Sequence, residues 1–244
     1  MAFKQKDFEI FHDLKFDIQP VGIKYHSSMP ERIQRSTQKM PLCEMLKTAQ
    51  GGEVFYTDAE NHTCEAGPYV LGHKDAEEQF LNGEFGAGLQ AFKDTRAAAN
   101  VYQHIPTIEK GSVTCIAFAP LDKLLFEPDV MIFLADINQT WILMRALSYE
   151  TGEMWLSHSS TVIGCSWIFV HPHLSKKANH IPSGLGFGMK RRKLFPENHH
   201  FVCIPLNKLP SVIRSLREMP WTPEAFKPGG NEYVKQLREK LGLE

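Results

Sequence analysis

The sequence predicts an α+β fold, a mixed β-sheet flanked by helices, and three observations carry that reading. Apolar residues recur at helical spacing, as at Leu42, Met45, Leu46 and Ala49. Two continuous apolar runs, residues 112–119 and 129–135, are β-type and are bounded by Pro120 and Pro128. A short internal echo joins the two patterns. Val113-Thr114-Cys115-Ile116 leads after three residues into Pro120-Leu121-Asp122-Lys123-Leu124. Val202-Cys203-Ile204 leads directly into Pro205-Leu206-Asn207-Lys208-Leu209. Each reads as a strand turning into a helix, either a duplicated strand–helix unit or a chance match of a few residues, with Cys115 and Cys203 as strand residues facing a core.

Taken in order, residues 3–15 form an amphipathic helix with Phe3, Phe8, Phe11 and Leu14 on one side. Residues 18–25 are an edge or bulged strand, because Pro20 and Gly22 weaken a central one. Residues 27–39 are a polar loop. Pro41 opens a helix that Gly51-Gly52 ends. Residues 53–57 are a strand, and residues 58–63 a loop leading to Cys64. A helix spans 74–82, residues 83–88 are a glycine-rich turn, and a helix from Leu89 to about His104 carries Leu89, Phe92 and Ala99 inward. After the two apolar strands, Asn138 caps a helix that Gly152 ends. Ser159 or Ser160 caps another, with Val162, Ile163, Ser166, Trp167 and Val170 on one face and Cys165 off it. Residues 171–198 are basic, polar and glycine-dotted. Residues 200–204 are a strand, 210–219 a helix, and 231–243 a last amphipathic helix.

The totals narrow the class of protein. Its 244 residues are 43% hydrophobic and 23% charged, enough for one domain with a sizeable core. A formal net charge of −1 gives no pull toward nucleic acid or an anionic membrane. The first residues, MAFKQKDFEIF, are too charged for a signal peptide, and no apolar run approaches the ~18 residues of a membrane span. The expected location is the cytoplasm. There, five cysteines point to free thiols, metal ligands or reactive groups in preference to disulfides.

Several fragments together resemble an uncharacterised archaeal and bacterial family, domain of unknown function family 169. They are Pro20-Val21-Gly22-Ile23-Lys24; Leu42-Cys43 followed by Ala49; Cys64 followed by Gly67 and Leu71-Gly72; Ala119-Pro120-Leu121 with Glu127-Pro128-Asp129-Val130; Asn138-Gln139; Cys165; and Ile204-Pro205-Leu206. They run in family order over residues 18–219. The resemblance implies a single cytoplasmic domain, often from anaerobic prokaryotes, with cysteines at the places of Cys43, Cys64 and Cys165. It also implies a Gly-x-Arg element near Gly186 to Arg191. It names no activity.

Cys43, Cys64 and Cys165 are the candidate metal ligands. Three converging thiolates with an open fourth position suit an iron–sulfur cluster, or zinc with a histidine such as His62. No CxxC exists, so the fold itself would have to assemble the site. Cys43 and Cys64 are also the candidate catalytic pair. A thiolate in the first turn of a helix is favoured by free N–H groups and the helix dipole, although Glu44 opposes it, and Cys64 would be the resolving thiol. The competing reading makes all five cysteines core residues. Gly186, Gly188, Lys190 and Arg191 form a candidate cofactor-binding segment, where backbone N–H groups near cations hold an anion. A basic surface loop explains them too. Glu127-Pro128-Asp129 reads as acid–base carboxylates or as a turn, and the pairs His171/His173 and His199/His200 as metal ligands from an extended segment or, more commonly, as solvated side chains. The favoured function is binding of a small, anionic ligand or cofactor in a cysteine-lined pocket, with no nucleic acid or membrane partner. An oxidoreductase or transferase working through a cluster or thiol, and an interaction module, are the alternatives. Oligomeric state stays open.

Overall fold

A computed structural model describes residues 5–243. Its first element is a 3-10 helix, Gln5–Leu14, which buries Phe8, Phe11 and Leu14; Phe3 lies outside the described residues. Strand β1 (Val21–His26) is followed by α1 (Leu42–Gln50), β2 (Phe55–Asp58), α2 (Ala66–Val70), α3 (Glu78–Leu81), α4 (Glu84–Gly88), α5 (Thr95–Tyr102) and β3 (Cys115–Pro120). The second half continues with β4 (Val130–Ala135), α6 (Ile137–Ser148), a π-helical turn (Ser166–Val170), α7 (His171–Ser175), β5 (Asn179–Pro182), α8 (Phe187–Arg192), β6 (His200–Pro205), α9 (Leu209–Glu218) and α10 (Gly230–Lys240). Among the described residues no helix is long and apolar enough to cross a membrane.

The strands form one sheet in the order β2-β3-β1-β4-β6-β5, so the fold is α+β. Every ladder is antiparallel, and parallel pairing is confined to the isolated bridges Arg35↔Tyr56 and Met40↔His62. The sequence suggests a mixed sheet, and the continuous hydrophobicity of 129–135 suggests a strand covered on both faces, which β4 is. Here the same pattern arises because helices cover both faces of an antiparallel sheet. On one face Val21, Ile23, Phe118, Ile132, Phe201 and Cys203 pack under α1, α2, α5 and the π turn. On the other, Met131, Phe133, Val202 and Ile204 pack under α6, α9 and the first 3-10 helix. Alternate residues of each strand point to opposite faces, which is why β3 and β4 are buried at every position. Each fully buried phenylalanine contributes about 1.5–3 kcal/mol relative to exposure.

The internal echo marks a repeat in the strands. Each half has three strands with helical segments between successive strands, and the orders β2-β3-β1 and β5-β6-β4 are the same. The Leu121 N–H donates to the Pro20 carbonyl at 2.8 Å, and the Leu206 N–H donates to the Asp129 carbonyl at 2.9 Å. Val21 pairs with Pro120 as Val130 pairs with Pro205. Both Pro-Leu-Asx-Lys sequences are 3-10 turns, Leu121–Lys123 and Leu206–Lys208, but only the second continues into a helix. The helices do not repeat, since α1 covers one face and α6 the other.

Local chemistry moves several boundaries. The helix expected from Leu89 begins at Thr95, because the Asp94 carboxylate accepts the Ala97 N–H and fixes the start there; Ala98, not Ala99, is the buried alanine. The glycine-rich turn at 83–88 holds the short helix α4. Asp136, rather than Asn138, caps α6 in a reciprocal capping box with Gln139. Ser160 caps nothing; its hydroxyl donates to the Val162 carbonyl and accepts the Trp167 indole N–H. The polar stretch 171–198 contains α7, β5 and α8. Asp136→Ala is expected to cost about 1 kcal/mol in urea unfolding; an unchanged midpoint would remove Asp136 from the role of cap.

Candidate functional site

Three segments contribute a cysteine each to the lining of one cavity of about 480 Å³. Pro41 is extended and stands just before α1, which sets Cys43 in the first turn. Cys64 precedes α2 and is half-buried. Cys165 is buried at the residue before the π turn. All three line the cavity, together with Gly186, Gly188 and Arg191. Lys190 is exposed on α8 and off the wall. Cys115 and Cys203 are buried strand residues that do not line it. All five cysteines are free thiols.

Burial controls the thiol chemistry. It pushes Cys43 up to about 11; nearby Cys64 and Glu44 add to this, and Arg192 opposes it. Burial likewise pushes Cys165 well above the ordinary thiol range, with further contributions from Cys64 and Cys43. Burial works against the thiolate expected at Cys43. The first turn of a nine-residue helix does not offset the loss of water around the sulfur, so Cys43 rests as a neutral thiol near pH 7.

The metal reading meets a geometric obstacle. Among the described residues no group of three or more His, Cys, Asp or Glu side chains is arranged to hold a metal ion. His62, the proposed fourth ligand, does not line the cavity. It packs behind α2, where a Cβ on Gly67 would sit 2.7 Å from its Nδ1, and its ring lies 5.6 Å from that of His73.

One wall of the cavity is aromatic. Phe80 packs edge-on to Phe85 at 5.0 Å and stacks on Tyr102 at 5.5 Å, linking α3, α4 and α5. The opposite wall joins the Cys165 segment to the basic segment. A Cβ on Gly164 would sit 3.1 Å from the Gly186 Cα, so the two backbones touch because both residues are glycine. Gly186 therefore serves this packing and stands just before α8. Beside them Ile163, which also lines the cavity, has φ +52°. A β-branched residue pays about 1–3 kcal/mol for such a conformation.

The rim carries the charge. Arg192 Nε pairs with Glu44 at 3.1 Å, and its Nη1 donates to the Gly188 carbonyl at 3.1 Å. Glu65 and Glu77 both pair with Lys74. For Arg191 no ion pair or hydrogen bond is found among the described residues. The aromatic wall, Ile163, Met189 and Arg192 are not legible as site residues in the sequence, because each is an ordinary core or surface type until the fold gathers them.

The remaining candidates are structural or lie elsewhere. The Asp129 carboxylate accepts the Tyr25 N–H at 2.8 Å, and the Glu127 carbonyl accepts Lys24 Nζ at 2.9 Å; both brace the β1–β4 junction. The Tyr25 hydroxyl donates to the Phe169 carbonyl in the π turn at 2.7 Å. His171 packs 4.7 Å from His158, and His173 packs 4.4 Å from Tyr25, so neither is simply solvated.

Comparison with known proteins adds a family without an activity. The chain is similar to an uncharacterized protein of Methanocaldococcus jannaschii, MJ0308, at 25% identity over 203 residues, 82% of this chain and 86% of that protein. No solved structure matches. A family profile described as "Uncharacterised ArCR" matches residues 9–215, which include all three cavity cysteines and the basic segment. The chain belongs to that family, domain of unknown function family 169.

Proposed function

We propose that the protein binds a small ligand or cofactor in the cavity of Cys43, Cys64 and Cys165, with α8 supplying its cationic side. One observation supports this: cysteines from three distant segments are among the residues lining one cavity, whose size suits a small molecule. The wall is mainly apolar, and its few polar groups stand at the rim. Neutral, buried Cys43 and Cys165 favour a binding role over resting nucleophiles.

An uncharged fluorophore, N-phenyl-1-naphthylamine, tests the reading. It is expected to bind the native protein at one site, and alkylation of Cys64 by N-ethylmaleimide should abolish that binding. Cys64→Ser should bind the dye and resist the maleimide. Absence of dye binding, or binding indifferent to Cys64 alkylation, would refute the ligand cavity.

A further inference from the structure

We propose that the ligand is an amphiphilic anion, with an acyl or aromatic body on the apolar wall and one carboxylate on the Arg191 guanidinium. This rests on the binding reading above and specifies its chemistry. The body is indicated by the wall. Leu42, Phe80, Phe85 and Met189 come from four different elements and present carbon surface to one space. Two aromatic rings continue that surface to the outside: Phe85 is 46% exposed and Phe187 36% exposed, both on the cavity wall. Apolar surface that runs from an interior cavity out to its rim suits an elongated apolar group better than a compact polar one.

The head group is indicated by the distribution of partners. Each acidic side chain at the rim already has a cation, Lys74 for Glu65 and Glu77 and Arg192 for Glu44. Arg192 is further fixed by the Gly188 carbonyl. Arg191, one residue along α8, lines the same cavity and has no partner among the described residues. A guanidinium presents a planar fork of donors that matches a carboxylate. An apolar cavity with an unpaired arginine among its lining residues suits a molecule with an oily body and one anionic end.

Displacement of N-phenyl-1-naphthylamine by decanoate, decanol and decylamine tests this. Decanoate should displace the dye at about tenfold lower concentration than either of the others, the contribution of one charge-assisted hydrogen bond. Arg191→Gln should bring decanoate to the level of decanol and leave decanol unchanged; Arg191 is exposed, so the variant folds, as circular dichroism checks. If decanol or decylamine matches decanoate, or if Arg191→Gln keeps the preference, the anionic class is wrong while the cavity stands. If the dye fails to bind, the cavity reading falls and this proposal with it.

Discussion

Replacing Gly83 by alanine is expected to lower the unfolding free energy by about 2–5 kcal/mol. Gly83 links α3 to α4 with φ +81°, and this left-handed conformation costs a residue with a Cβ about 1–2 kcal/mol. The new Cβ would also fall 2.0 Å from the Thr95 carbonyl oxygen and 2.7 Å from the Ala99 N. Both are backbone atoms of α5, so α5 must move away, and overpacking of this kind costs about 1–3 kcal/mol more. That shift separates Phe80 and Phe85 from Tyr102, so dye binding should weaken together with stability. Urea unfolding measures the first effect and fluorescence titration the second. A loss below about 1 kcal/mol would mean that α4 and α5 do not meet at Gly83 as described.

Acid is expected to destabilise the protein from about pH 6.5 downward, before most carboxylates titrate. Burial lowers His62 and His171 from 6.5 to about 4, and it lowers His26, His73, His173, His180 and His200 as well. The folded protein keeps these rings neutral, whereas the unfolded chain protonates them near pH 6.5. Between those values the unfolded state binds more protons, so stability is full above pH 6.5 and falls as pH drops toward 4. At 1.36 kcal/mol per unit, His62 contributes at most about 3 kcal/mol to that loss. His171 is half-exposed, and solvent screening reduces its share to about half as much. Urea midpoints near pH 7.5 and near pH 5 should therefore differ, and His62→Leu should flatten the slope. Equal midpoints for the wild type at both values would contradict the burial of these rings.

Much of the fold can be read from the chain, and the reasons differ by element. The α1 stripe of Leu42, Met45, Leu46 and Ala49 is a direct consequence of 3.6-residue periodicity, and all four residues are buried. The Pro-Leu-Asx-Lys echo correctly marks two strands set alike, one place in from each edge of the sheet. Strand direction is less visible, because a strand covered on both faces looks the same in parallel and antiparallel pairing. The stretch 171–198 hides β5 and α8 because short elements beside glycine and proline carry too few periods to show. For the site, the cysteines stand out by their chemistry, so Cys43, Cys64 and Cys165 can be singled out from residue type alone. Their environment cannot. Whether a first-turn thiol is activated or silenced depends on burial, a property of the packed cavity. Phe80, Phe85 and Tyr102 acquire a role only when α3, α4 and α5 fold against one another.

The central claim is the convergence of three thiols, and a short, rigid bifunctional thiol reagent tests it most directly. Treated in the native state with o-phenylenedimaleimide, the protein should yield a crosslink from Cys64, the most accessible of the three, to Cys43 or Cys165, identified by peptide mass spectrometry. Cys115 and Cys203 should react only after unfolding, since both are buried strand residues off the cavity wall. Single adducts on Cys64 with no crosslink, or crosslinks through Cys115 or Cys203 at comparable yield, would contradict the shared cavity.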